Sequence, residues 1–147
     1  MTTLDALQTT LAAEHAAVYE YAALGGRTSR SGSPALYDAV NAAYTAHRSR
    51  RDQLRRMILD RDGRPVAAEA VYELPGRMDT ADQIARAALE LERSCAATYS
   101  YLVANTVEAE RRWAITALNE TAIRELAFHG APEILPGAAD LAPHAPR

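Results

Sequence analysis

The sequence predicts an all-α protein, a four-helix bundle built from two antiparallel hairpins. Four segments show the apolar spacing of amphipathic helices, and glycine, proline and helix-capping residues separate them. The connections inside the first pair and inside the last pair are short, whereas residues 61–78 form a long connection between the pairs. No segment has the pattern of a credible β-strand.

The first hairpin is predicted from helices over residues 3–24 and 34–60. The first helix is expected to stop at the Gly25–Gly26 pair, because glycine is common just beyond a helix end. The Ser33–Pro34 pair suits the start of the second helix, since serine caps a first turn and proline fits its first position. The short loop makes the two helices antiparallel neighbours.

The second hairpin is predicted from helices over residues 80–105 and 107–129. Thr80 and Gln83 have the spacing of a capping box, in which each side chain accepts a hydrogen bond from the other residue's backbone N–H. The fourth helix is expected to end before Gly130. The bundle domain is therefore assigned to residues 1–130.

Two segments lie outside the predicted helices. Residues 61–78 can stretch to about 59 Å at about 3.3 Å per residue, whereas a helix of about 25 residues is only about 37 Å long. This segment is long enough to serve as a crossover along the whole bundle. Residues 131–147 contain four prolines and are predicted to form an extended C-terminal tail.

Composition excludes several classes of function. The chain has 147 residues, of which 48% are hydrophobic and 24% charged, as in soluble globular domains. All sixteen basic residues are arginine, but the net charge of -3 gives no positive field for nucleic acid. A single cysteine, Cys95, and the lack of a signal peptide or membrane span predict a cytoplasmic protein.

The two hairpins resemble each other in sequence. Shifting the first hairpin by 78 positions places apolar residues on apolar residues, for example Leu11 on Leu89. The same shift brings polar positions together, which predicts that one hairpin arose by duplication of the other. The polar matches are Glu14 with Glu92, Tyr21 with Tyr99, and His47 with Glu125.

Each predicted helix carries a Glu or His on its apolar stripe. A buried carboxylate without a partner is costly, so these groups are expected to meet one another, a metal ion, or Arg51. Three tyrosines share the inward stripes and are expected to surround the group. The candidate ligands are Glu14, His47, Glu92 and Glu125, and the surrounding residues are Tyr21, Tyr44, Arg51 and Tyr99.

The stretches AEHAAVYEYAALGG, AAYTAHRSRRDQL and YELP resemble an alanine-rich domain family of the ferritin-like superfamily, common in actinobacteria and without an assigned function. Di-iron members of the superfamily take one Glu from the first helix of each hairpin and Glu-x-x-His from the second. The resemblance implies that Glu14, Glu92 and His47 occupy ligand positions.

This chain departs from the di-iron pattern at three positions. Tyr44 and Ala122 stand where the bridging glutamates belong, and Glu125 stands where a histidine belongs. Both bridging carboxylates are therefore missing, and a standard di-iron centre is not expected. The sequence leaves open whether the remaining ligand positions still bind a metal.

Three classes of function remain. The first is a non-catalytic binding or scaffold protein with a degenerate di-metal site and no cofactor. The second is an iron- or manganese-dependent oxidase or stress-response protein that uses a reduced carboxylate and histidine site. The third is a small-molecule binder that uses the bundle interior. A homodimer is expected in each case, without nucleic acid or membrane as a partner, and whether the protein is an enzyme stays open.

Overall fold

The computed structural model describes residues 2–138, which form four helices and no strand. The predicted all-α class and the four-helix bundle are confirmed. The predicted C-terminal tail is described only to residue 138, and residues 139–147 lie outside the described part of the chain. The helices are α1 (Thr3–Arg27), α2 (Pro34–Leu59), α3 (Ala81–Ala104) and α4 (Glu108–Ala127).

α1 continues through the glycine pair at which it was predicted to stop, and it ends at Arg27. Gly25 lies against α2, where a side chain of its own would contact Val40. The packing of the two helices therefore outweighs the low helix propensity of glycine. At the other end, Thr2 and Asp5 form a capping box that the sequence analysis did not identify.

The other helix starts agree with prediction only in part. Pro34 occupies the first turn of α2, but the side chain of Ser33 makes no capping hydrogen bond. Thr80 accepts a hydrogen bond from the backbone N–H of Gln83 at 3.2 Å. Gln83, however, accepts from the backbone N–H of Asp79 at 2.9 Å, so the reciprocal half of the box is displaced by one residue.

The helices form two antiparallel hairpins, α1 with α2 and α3 with α4, and α1 also packs against α3. α2 and α4 come close at few places, and they meet mainly through side chains such as that of Arg50. Apolar clusters close both ends of the bundle. One contains Tyr21, Leu24, Val40, Ile84 and Phe128, and the other contains Leu7, Leu11, Leu54, Ile58 and Leu102.

The crossover between α2 and α3 runs along the outside of α1. Gln8 holds its beginning by donating to the carbonyl of Arg64 at 2.7 Å and accepting from the N–H of Val66 at 2.9 Å. Its end packs into the opposite apolar cluster through Met78. This path confirms the long crossover. Among the described residues, no helix is long and apolar enough to cross a membrane.

Candidate functional site

A layer of buried polar side chains lies between the two apolar ends of the bundle. Glu14, His47, Glu92 and Glu125 each expose at most 1% of their surface, as their predicted inward positions require. The structure connects the first three by hydrogen bonds and leaves Glu125 outside the network. The same layer contains Arg50, which is 4% exposed.

His47 bridges the two glutamates. Its Nδ1 lies 2.8 Å from Oε2 of Glu14, and its Nε2 lies 3.1 Å from Oε1 of Glu92. Each ring nitrogen can donate to a carboxylate only if it carries a proton, so this geometry fits a charged imidazolium. Burial lowers the pKa of His47, but the hydrogen bonds and charges of the two carboxylates outweigh it and raise the pKa.

The two tyrosines of the repeat exchange partners across α1 and α3. Tyr21 donates to Oε1 of Glu92 at 2.5 Å, and Tyr99 donates to Oε1 of Glu14. Each tyrosine thus binds the glutamate of the other hairpin. The ring of Tyr21 also stacks on His47, with centroids 5.3 Å apart. Burial raises the pKa of both hydroxyls and keeps them as donors.

Arg124 completes the environment of Glu92. Its Nη1 donates to Oε2 at 3.2 Å, so both oxygens of Glu92 have protein partners. Burial alone raises the pKa of Glu92. The hydrogen bond and charge of His47, together with the charge of Arg124, lower it by more, and the carboxyl stays ionised.

Arg50, not Arg51, is the buried cation of α2. It donates to the hydroxyl of Tyr99 on α3 at 3.0 Å and also reaches α4. On α4 it binds the hydroxyl of Thr121 at 2.8 Å, the carbonyl of Ala117 at 3.1 Å and the carboxylate of Glu120 at 2.9 Å.

The prediction that Arg51 pairs with the buried carboxylates is wrong. Its guanidinium binds Asp52, with Nε 2.9 Å from Oδ1, and its side chain is 24% exposed. A helix turns about 100° per residue, so adjacent positions point in different directions. Arg50, three residues after His47, points into the interior, and Arg51, four residues after it, does not.

Tyr44 also lies away from the charge network. It is half-buried at the edge of an apolar cluster, and the guanidinium of Arg48 lies 5.5 Å from its ring centroid. The expectation that it surrounds the predicted ligands is therefore wrong. Tyr44 stands where the di-iron ligand pattern has a bridging glutamate, but its side chain makes apolar contacts and a cation–π contact.

Glu125 is buried beside one cation, Arg93, but without a hydrogen bond from the described residues. Neither carboxylate oxygen accepts a hydrogen bond from any residue in the range 2–138. Nε of Arg93 lies 3.6 Å from Oε2, too far for a hydrogen bond. Burial and the charge of Glu133 raise the pKa of Glu125, and the opposing charge of Arg93 does not cancel this effect.

As arranged here, the side chains do not fit a two-metal centre. Within the described part of the chain, no three His, Cys, Asp or Glu residues are grouped as metal ligands. Both nitrogens of His47 are directed at carboxylates, and a protonated nitrogen has no lone pair for a metal ion. The guanidinium of Arg124 adds a positive charge beside Glu92, where it would repel a metal cation.

Comparison with known proteins gives a family and a fold. The family model described as Domain of unknown function (DUF4439) matches residues 6–140. A crystal structure of a conserved hypothetical protein, Rv2844, from Mycobacterium tuberculosis has a TM-score of 0.78 and 30% sequence identity. The similarity covers 86% of this chain and 87% of that chain. No curated protein matches.

Proposed function

Because this chain belongs to the DUF4439 family of domains of unknown function, we propose a role built on its own site: a non-catalytic binding or scaffold protein. We further propose that its bundle is ferritin-like and that a charge network has replaced a degenerate di-metal site. One observation supports this most directly. Every carboxylate oxygen of Glu14 and Glu92, and both nitrogens of His47, already have protein partners.

The charges of this network balance without a metal ion. Glu14 and Glu92 are two negative groups, and the imidazolium of His47 and the guanidinium of Arg124 are two positive ones. Buried carboxylates require such compensation, which a metal would otherwise provide. The protein's own cations thus stand in for the metal ions of a ferritin-like centre.

Metal analysis tests the proposal. Protein produced with excess iron and manganese is expected to contain far less than one metal ion per chain. The Glu14→Gln, Glu92→Gln double variant is the control, because it removes the two carboxylates that a metal ion in this layer would need as ligands. Stoichiometric metal in the wild type that is lost in the double variant would overturn the proposal.

Glu125 supports a second candidate, an iron- or manganese-dependent oxidase or stress protein with a reduced site. A buried carboxylate without a hydrogen-bond donor is unusual, and a bound cation would satisfy it. The nearby Arg93 and Arg124 oppose this candidate electrostatically. It predicts metal in the wild type and loss of metal in Glu125→Gln. No observation in the described residues specifically favours the third class, a small-molecule site inside the bundle.

We also propose that a second copy of the chain covers α4 in a homodimer. Ile115, Ile123 and Leu126 are 42%, 68% and 46% exposed. At about 100° per residue they lie within an arc of about 80° on α4. These three apolar side chains lie on one side of α4 and can pack on the same side chains of a second copy about a twofold axis.

Light scattering after size exclusion tests the homodimer. The wild type is expected at twice the chain mass of 16.0 kDa, and Ile123→Glu is expected at the mass of one chain. Val71→Glu is the matched control, since Val71 is 72% exposed on the crossover, away from α4. A wild type of single-chain mass would contradict the proposal.

A further inference from the structure

A cavity of about 510 Å³ opens on the surface of the first hairpin, between α2 and the crossover. Arg51, Arg55 and Arg64 line it together with His15, and Leu59 and Val66 contribute apolar walls. Glu14, His47 and Glu92 do not line it. The cavity is therefore separate from the charge network, and an inference about it does not depend on the proposed function of the interior.

Two chain segments hold the walls in place. On α2, Arg51, Arg55 and Leu59 follow one another at intervals of four residues and so share one face of the helix. The opposite wall is the start of the crossover. Gln8 fixes the carbonyl of Arg64 at 2.7 Å and the N–H of Val66, and Nε2 of His15 lies 3.1 Å from the carbonyl of Val66.

The cavity concentrates uncompensated positive charge in a protein whose net charge is -3. Arg51 is paired with Asp52, but Arg55 and Arg64 make no side-chain hydrogen bond or ion pair with any residue described. No Asp or Glu is among the described residues that line the cavity. Like charges in a concave site with apolar walls attract anions more strongly than scattered surface charges do.

We propose that this cavity binds a phosphorylated small molecule. Its volume lies in the range of about 300–1,000 Å³ that is typical of small-molecule sites. A guanidinium can donate two parallel hydrogen bonds to two oxygens of one phosphate. A phosphate monoester carries about two negative charges near neutral pH, and the two positive charges of Arg55 and Arg64 match them. The apolar walls at Leu59 and Val66 receive the organic part of the molecule. No Phe, Tyr or Trp is among the described residues that line the cavity, although such rings are the usual platforms for stacking of nucleic-acid bases.

Titration of backbone amide NMR signals tests the site, with phenyl phosphate, inorganic phosphate and benzoate as probes. Phenyl phosphate is expected to bind more tightly than either of the others, because it alone combines the double charge with an apolar ring. The amides of Val66, Ala67 and Ala68 are expected to shift. Arg55→Gln and Arg64→Gln are each expected to lower the affinity for phenyl phosphate about tenfold or more, as for loss of a charged hydrogen bond.

Arg56→Gln is the matched control, because it makes the same charge change one residue away on α2, at a position that does not line the cavity. Its affinity for phenyl phosphate is expected to equal that of the wild type. Equal weakening in Arg55→Gln and Arg56→Gln would overturn the site, since it would indicate general attraction to the helix. Absence of binding, equal affinity for benzoate, or tighter binding of a single-stranded oligonucleotide would also overturn it. Arg55 and Arg64 are exposed, and their side chains bond to no residue in the described range, so both variants are expected to fold.

Discussion

Replacing Arg50 with methionine is expected to lower the free energy of unfolding by about 3 kcal/mol. Methionine retains much of the length of the side chain but none of its donors. The hydroxyl of Thr121 and the carbonyl of Ala117 would lose a buried donor, and Tyr99 would lose the cation beside its hydroxyl. Each buried polar group left without a partner costs about 1–3 kcal/mol. Urea denaturation of the wild type and the variant measures the difference.

Arg51→Met is the control, because it removes the same side chain from the next position of the same helix. Within residues 2–138 Arg51 is bonded only to Asp52, which is itself 53% exposed, so the expected change in the free energy of unfolding is below about 0.5 kcal/mol. A larger loss from Arg51→Met than from Arg50→Met would show that the sequence-based assignment was right. Equal small losses from both variants would show that the packing of α2 with α4 does not need a buried cation.

The fold could be predicted because it depends on patterns that repeat over many residues. Apolar spacing defined the helices, and the lengths of the connections defined which helices pair. The end of α1 could not be predicted, because Gly25 lies against α2 near Val40 and no local pattern encodes that packing. Local propensity is a weak guide where tertiary packing acts on the same residue.

The centre of the site was predicted better than its surroundings. Glu14, His47 and Glu92 come together, since each lies among apolar residues on its own helix. The partners of Tyr21 and Tyr99 depend on the register between α1 and α3, which no local pattern encodes.

Arginines were the hardest residues to place. Arg124 precedes Glu125 on α4, yet its long side chain reaches Glu92 on α3. Arg50 and Arg51 are neighbours, and composition alone cannot tell which of them points inward. Long side chains can bring a charge to a place well away from their backbone. The signal that favours Arg50 is its spacing of three residues after His47 and four before Leu54, both of which are buried.

Replacing His47 with glutamine is expected to lower the free energy of unfolding by about 3–5 kcal/mol at pH 6. Glutamine is neutral, so Glu14 and Glu92 would remain buried without the cation between them. The loss is expected to be larger than that for Arg50→Met, because the groups left behind are charged. Urea denaturation of both proteins between pH 5 and pH 9 measures the difference.

The pH dependence of this difference reports whether the folded cluster around His47 holds an extra proton. Its folded-state pKa is raised above the ordinary value of 6.5, because the hydrogen bonds and charges of Glu14 and Glu92 outweigh the effect of burial. Its contribution to stability is then fully present below pH 6.5 and is lost as pH rises toward the folded pKa. The wild type's advantage should therefore shrink above pH 6.5, by up to about 1.4 kcal/mol per pH unit.

At acid pH, the titration of Glu92 limits the stability of the wild type. Its pKa is lowered from 4.5, so its contribution is present above pH 4.5 and is lost as pH falls through the folded pKa. Burial and Glu90 raise the pKa of Glu20 to about 7, but Glu20 titrates in both proteins and cancels from their difference. A difference that stays constant from pH 6 to pH 9 would mean that the folded cluster of His47, Glu14 and Glu92 holds no extra proton relative to the unfolded state. Without that proton only one ring nitrogen of His47 could donate, and one of the two carboxylates would face an unprotonated nitrogen. The charge balance on which the metal-free network rests would not hold in that case.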